Sequence, residues 1–131
     1  AATEPWIGVN PNHVEINAAE EFDDPGSVYS FYKKLIAMRH NNATIATGEW
    51  NLVAADSEQV YSFTRTSGDD TILVIVNLTD RTAQVPAEVA QLLEDGVGES
   101  QVLLSTYDAV HSVKSVARGE LARWEGVVIQ L

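Results

Sequence analysis

A mainly β fold, an antiparallel β-sandwich entered through an irregular lead-in and one amphipathic α-helix, is predicted by three observations. The spacing of apolar residues changes from helical to alternating near residue 45. Short strand candidates then follow one another between turn signals, which is the pattern of an antiparallel sandwich. One of them, Ile72 to Val76, is apolar throughout and suits a central strand buried on both sides. At 131 residues and 45% hydrophobic, the chain is long enough to bury one core.

From Ala1 to Asp24 the turn formers Pro5, Gly8, Asn10, Pro11 and Asn12 break any regular period. Asn17 followed by Glu20 resembles a capping box and predicts a single helical turn over Ala18 to Phe22. A lead-in of this length in a compact domain signals function or membership of a larger structure. A helix is expected over Pro25 to Asn41, with Asp24 as N-cap and Pro25 at its first position. Val28, Phe31, Tyr32, Leu35, Ile36 and Met38, with Tyr29 at the margin, cover about half of the cylinder, more than one sheet face needs. Lys33 and Lys34 lie on the solvated side, while Arg39 falls inside the apolar arc, where an unpaired charge would cost several kcal/mol. Strands are expected at about Glu49 to Ala54, Gln59 to Arg65, Thr71 to Asn77, Ala83 to Val85, Gln101 to Ser105 and Gly126 to Leu131. Ser67 to Asp70 reads as a hairpin turn, Pro86 to Leu93 as helix-like, and Gly96 to Ser100 as a loop.

A formal charge of −11 without any Lys/Arg cluster repels nucleic acid and acidic lipid, so neither is expected as a partner. No run approaches the length of a spanning helix and no signal-peptide layout is seen; with zero cysteines, a cytoplasmic setting is expected. Ala1 in place of Met points to a processed chain or a piece of a longer one. His13, His40 and His111 lack the spacing of metal-binding helices, so no metal site and no cofactor are expected. Nucleophile elbow, Walker loop and dinucleotide fingerprint are all missing. Adjacent acids such as Glu20/Glu21, Asp23/Asp24 and Asp69/Asp70 read as solvated caps, because glycoside hydrolysis needs two carboxyls facing across a cleft. Asn42 and Asn77 head glycosylation-type triplets but read as a helix terminator and a strand end. Trp50 and Trp124 read as core or interdomain contacts, and Trp6 stands in a loop between Pro5 and Gly8.

The run Pro5-Trp6-Ile7-Gly8-Val9-Asn10-Pro11-Asn12 with Glu15-Ile16-Asn17 resembles a segment of oligo-1,6-glucosidases and dextran glucosidases, members of the α-amylase superfamily. The resemblance continues through Asp24 to Val28, Tyr32 to Arg39, Thr47 to Leu52, Tyr61 to Arg65, Leu73 to Leu78 and Trp124 to Leu131, nearly the whole chain. Departures fall in Ala87 to Ser100 and at Arg123, where many relatives have Pro. The resemblance implies that residues 1–44 are the last loop and last helix of a catalytic (β/α)8 barrel, and that residues 45–131 are a Greek-key-like C-terminal sandwich. It implies that the half-cylinder arc is a domain interface formed by Val28, Phe31, Tyr32, Leu35, Ile36, Met38 and Arg39, with a carboxylate partner for Arg39 in the junction. Arg39→Ala is then expected to destabilise that junction. The family's catalytic Asp, Glu and Asp would lie upstream, so no catalytic residue is expected here. Trp6, Asn10 and Asn12 are candidates for substrate-side positions, because such loops border the substrate, or for shaping the loop.

The function this implies is a non-catalytic domain docking and stabilising a retaining α-1,6-glucosidase, whose missing barrel is the partner. Without its barrel, the arc would fold back on the sandwich or self-associate. The rival readings are a stand-alone carbohydrate-binding module, which needs an exposed aromatic platform, and an immunoglobulin-like adhesion domain, which needs no such lead-in.

Overall fold

In a computed structural model of the chain, residues 6–95 and 101–131 are described. The loop expected over Gly96 to Ser100, and Pro5 in the lead-in, lie outside them. The chain divides into two compact units, Ala1–Ala37 and Met38–Leu131.

In the first unit, Pro11–Val14 form a 3-10 turn capped by Asn10, and Ala18–Phe22 form helix α1, capped by Asn17 Oδ1 accepting from Glu20 N at 3.0 Å. The main helix α2 spans Val28–Asn41, beginning about a turn later than Pro25. The reason is local: Asp24 Oδ1 accepts from Gly26 N at 2.8 Å, closing an Asx turn that holds Pro25 and Gly26 outside the helix. Ser27 takes the capping role instead, its Oγ accepting from Ser30 N at 3.1 Å. That hydroxyl is also 2.7 and 2.8 Å from the carbonyl oxygens of Glu21 and Asp24. The Glu21 carboxylate accepts from Tyr29 N, and the Phe22 and Tyr29 rings meet at 5.5 Å, so α1 and the start of α2 are fastened together.

In the second unit, Asn42 does more than end α2. Its side chain caps a short helix α3, Ala43–Thr47, by accepting from Ile45 N at 2.9 Å. Strands β1 (Glu49–Val53), β2 (Val60–Ser67) and β3 (Asp70–Asn77) follow as an antiparallel meander. Ser67 pairs with Asp70 across a two-residue turn whose first member is Gly68 at φ 62°, the position that favours glycine. The chain then runs through β4 (Ala83–Gln84), α4 (Ala87–Asp95), β5 (Gln101–Ser105), α5 (Ala109–Ala117), β6 (Glu120–Leu121) and β7 (Gly126–Gln130). The main sheet has the order β1-β2-β3-β7-β5, which puts the apolar β3 in the middle, as expected.

The second layer departs from a full sandwich. Among the described residues it holds the two-stranded ribbon β4-β6, with side chains of α4 and α5 completing the cover. Leu73, Ile75, Val127 and Ile129 from the main sheet are buried there with Ala83, Leu121 and Val89. Full burial of each large aliphatic is worth about 1.5–3 kcal/mol. On the other face of β3, Val74 and Val76 are only half-buried, so two-sided burial of the whole Ile72 to Val76 run is not reached within this chain. Neither α3 nor α5 was signalled by periodicity. α3 is too short to show one, and Val110, Val113 and Val116 in α5 are β-branched residues that read as strand formers.

Asn77 fixes the end of β3. Fully buried, its Nδ2 donates to the carbonyls of Arg81 (2.7 Å) and Ala122 (2.8 Å), while Oδ1 accepts from Thr79 N and Oγ1. An amide used in this way is unavailable for glycosylation, in keeping with the strand-end reading. Gly48 is needed for space: a Cβ there would stand 2.5 Å from Thr44 O and 3.0 Å from Thr66 O, both backbone atoms. Gly48→Ala should therefore destabilise the chain by roughly 1–3 kcal/mol in urea unfolding; an unchanged midpoint would show that α3 and β2 can separate freely.

Candidate functional site

The lead-in residues proposed for the substrate side do not form a group. Trp6 is 93% exposed. Asn10 and Asn12 are brought together, but by the 3-10 turn: Asn10 Oδ1 accepts from Asn12 N at 3.2 Å, and Asn12 O accepts from Glu15 N and Ile16 N at 2.9 Å. The side-chain oxygen of Asn10 thus takes part in shaping the turn.

The apolar arc of α2 is present and open. Val28, Tyr32 and Ile36 are exposed, Phe31, Leu35 and Met38 are half-buried, and no residue of α2 is fully buried. Lys33 and Lys34 are on the solvated side as expected, with Lys33 Nζ 5.9 Å from the Phe22 ring centre. Within this chain Arg39 is held in a way the sequence does not signal. It is exposed, and its partners are backbone carbonyls: Nη1 donates to Ile45 O (3.1 Å) and Nη2 to Ala46 O (3.3 Å). Among the described residues it has no carboxylate partner. A cation at the end of α3 satisfies carbonyls that have no later turn to bond.

A second open surface lies in the other unit, on the face of the main sheet turned away from the core. The register places Trp50 and Leu52 of β1, Tyr61 and Phe63 of β2, Val74 of β3 and Val128 of β7 on that face. Trp50 and Leu52 are each 45% exposed and Tyr61 43%. Phe63 links the aromatics, 6.3 Å from Trp50 and 5.8 Å from Tyr61 between ring centres. Of the two readings of Trp50 and Trp124, core or interdomain contact, exposure removes the core one. Trp124 is 58% exposed and sits at φ 56°, unusual for a bulky residue. Its strand-end turn is held by Trp124 N donating to Thr79 O and by Thr106 Oγ1 donating to Trp124 O.

Spacing gave no sign of the polar cluster beneath that turn. Glu125 is fully buried; Oε1 accepts from Ser112 Oγ and Oε2 from Ala122 N, each at 2.7 Å, while His111 Nε2 is 3.6 Å from Oε2. Ser112 also meets Ser105 at 2.5 Å, and Ser115 meets the same His111 Nε2 at 3.2 Å. A catalytic relay needs its base to face nucleophile and acid through different ring nitrogens. Here one nitrogen faces both and the carboxylate is sealed from solvent, so the cluster is a structural clasp joining α5 to the start of β7. The residues are 13 and 14 positions apart on different elements, which no sequence window joins.

Comparison with known proteins agrees with this geometry. A family model described as the catalytic domain of alpha amylase matches residues 1–48. The oligo-1,6-glucosidase of Parageobacillus thermoglucosidasius is 33% identical over 97% of this chain, which covers 22% of that protein. The glucan 1,6-alpha-glucosidase of Streptococcus pneumoniae is 30% identical over 81% of the chain and 21% of its own length. Among solved structures, the trehalulose synthase of Pseudomonas mesoacidophila superposes with a TM-score of 0.73 at 30% identity, over 97% of this chain and 22% of the other. The trehalose-6-phosphate hydrolase of Bacillus licheniformis gives 0.75 at 28%, over 98% and 22%. The chain thus spans about a fifth of the length of these relatives.

Removing the clasp should cost more than removing the exposed cation. Glu125→Ala is expected to lose about 2–4 kcal/mol, because Ala122 N is left unpaired and Ser112 keeps only Ser105, and Arg39→Ala less than about 1 kcal/mol, both read by urea unfolding. Equal losses would contradict this division.

Proposed function

This chain is homologous to one segment of the α-amylase-family glucosidases, and from that premise we propose that it is a non-catalytic region of a retaining α-glucosidase acting on α-1,6-linked gluco-oligosaccharides. Residues 1–44 are the remnant of the catalytic barrel. Residues 45–131 are the C-terminal β-domain, whose role is to dock on the barrel and stabilise it in a cytoplasmic enzyme. The observation that carries this reading is the open arc of α2: a helix with exposed Val28, Tyr32 and Ile36 in the stretch matched to a catalytic domain has lost its packing partner.

Two further points support it. Hydrolysis of a glycosidic bond takes two carboxyls across a cleft. Of the described carboxylates, Glu125 is sealed in its clasp, Asp70 is bonded by Thr44 and Gln130, Glu21 accepts from a backbone amide, and the others are exposed on turns, strand edges and helices. Relatives named for different reactions, an oligo-1,6-glucosidase, a trehalulose synthase and a trehalose-6-phosphate hydrolase, also share this segment at 28–33% identity. A segment common to all three is poorly placed to select the reaction.

The alternative, a carbohydrate-binding module, has exposed Trp124 in its favour. A change in Trp fluorescence on adding isomalto-oligosaccharides to the chain would favour it.

The chain alone should release no glucose from isomaltotriose, whereas a polypeptide joining it to a complete catalytic domain should. In that longer polypeptide, Tyr32→Glu and Ile36→Glu should each lower stability by roughly 3 kcal/mol or more, because each buries an unpaired charge. In the chain alone they should change little. Equal melting points for all forms of the longer polypeptide would contradict docking through α2.

A further inference from the structure

We infer that the turn carrying Trp124 is a surface site for a neutral gluco-oligosaccharide, built into the accessory region itself; this rests on the accessory-region reading above. A bulky residue at φ 56° is strained, and such residues persist where surrounding bonds hold them. Three segments hold this one. Thr79 O accepts from Trp124 N at 3.0 Å, Thr106 Oγ1 donates to Trp124 O at 3.2 Å, and the next residue, Glu125, is sealed in the clasp with Ser112. These bonds do not bury the indole but hold it out toward solvent. A second exposed aromatic is bonded to the same turn: Tyr107 Oη donates to Arg123 O at 2.9 Å, and the Tyr107 ring is braced by stacking on His111 at 4.7 Å.

The surroundings of the ring select the ligand. A sugar presents apolar ring faces to an aromatic and hydroxyls to polar groups beside it. Arg123, next to Trp124 in the chain, offers donors, and Asp80, next to the Thr79 that bonds Trp124 N, offers acceptors. Both are exposed, and neither is in an ion pair among the described residues. The centre of a protein interface is instead contiguous, apolar and poor in charge. Exposed Leu78 belongs to another surface, where it lines a hollow with Leu52 and Tyr61. A chain charge of −11 repels acidic and phosphorylated sugars, which leaves a neutral one. The site also stands clear of α3. Trp124 precedes β7 at the end of the sheet where Gly126 pairs with Val76, whereas α3 enters at the opposite end, where Glu49 pairs with Thr66 and Ser67 with Asp70.

Native gel electrophoresis of the polypeptide carrying the complete catalytic domain, run with and without soluble dextran, tests this, because the many glucose rings of one dextran chain magnify a weak single-ring contact. Trp124→Gly keeps the left-handed turn and removes the ring. It should weaken retardation by dextran about fivefold or more, the loss of one aromatic contact, while glucose release from isomaltotriose stays within about twofold of the unaltered polypeptide. Equal retardation of the two forms, with isomaltotriose still cleaved, would overturn the sugar-site inference and leave the accessory-region reading standing. If the unaltered polypeptide released no glucose, that reading would fail and the inference with it. Loss of glucose release along with retardation in Trp124→Gly, at an unchanged melting point, would assign Trp124 to turnover and overturn the inference too. Trp124→Asn, which also tolerates left-handed backbone, repeats the measurement should the glycine form not fold.

Discussion

A sheet that is apolar on both sides needs two covers, and the described residues of this chain provide one in full, covering the outer face only at the hairpin end, where Ile72 is buried. The need originates in β3, where Ile72 to Val76 leave no polar position to face water. Leu73 and Ile75 are sealed by α4, α5 and the β4-β6 ribbon, which together replace the second sheet of a full sandwich. Val74 looks the other way, toward Trp50, Phe63 and Val128, and remains half-buried. The same deficit recurs in α2, whose apolar arc is wider than its contacts.

The covered side is built from polar anchors as much as from apolar packing. Asn77 and Glu125 are both fully buried; Asn77 satisfies backbone carbonyls of the distant segment around Ala122, and Glu125 closes its own turn on Ala122 N while accepting from Ser112 Oγ of α5. Their carbonyl and amide partners around Leu121 and Ala122 are shared, so the end of β3, the turn after β6 and the start of β7 are locked as one piece. That lock holds Trp124 in its left-handed conformation, which costs a bulky residue on the order of 1–2 kcal/mol. Every buried polar side-chain atom among the described residues has a partner. What the unit lacks is apolar cover.

Elements whose signals are local were legible in the sequence: the capped turn at Ala18–Phe22, the two-residue hairpin at Gly68, and the central position of the Ile72 to Val76 run. Errors arose where two local signals competed or where the signal was not local. Asp24 was a reasonable N-cap, but its side chain closed an Asx turn and Ser27 capped the helix instead. No element was expected over α5, whose β-branched valines hide a helical period, yet Asp108 caps a helix there by accepting from His111 N at 2.8 Å. Of the two open apolar faces, the α2 arc was visible because a helix displays its face in one window. The sheet face was not, because it takes four strands in register to bring Trp50, Tyr61, Val74 and Val128 side by side.

The central claim, that this chain carries more apolar surface than it can cover, is tested most directly by binding of the dye ANS, with near-UV circular dichroism as the check that side-chain packing is intact. The chain alone should bind ANS while keeping a native near-UV spectrum, and the polypeptide with a complete catalytic domain should bind it several-fold less. A chain that packs natively and leaves ANS dark would contradict the claim, because its exposed aromatic and aliphatic faces would then have found their cover within the chain itself.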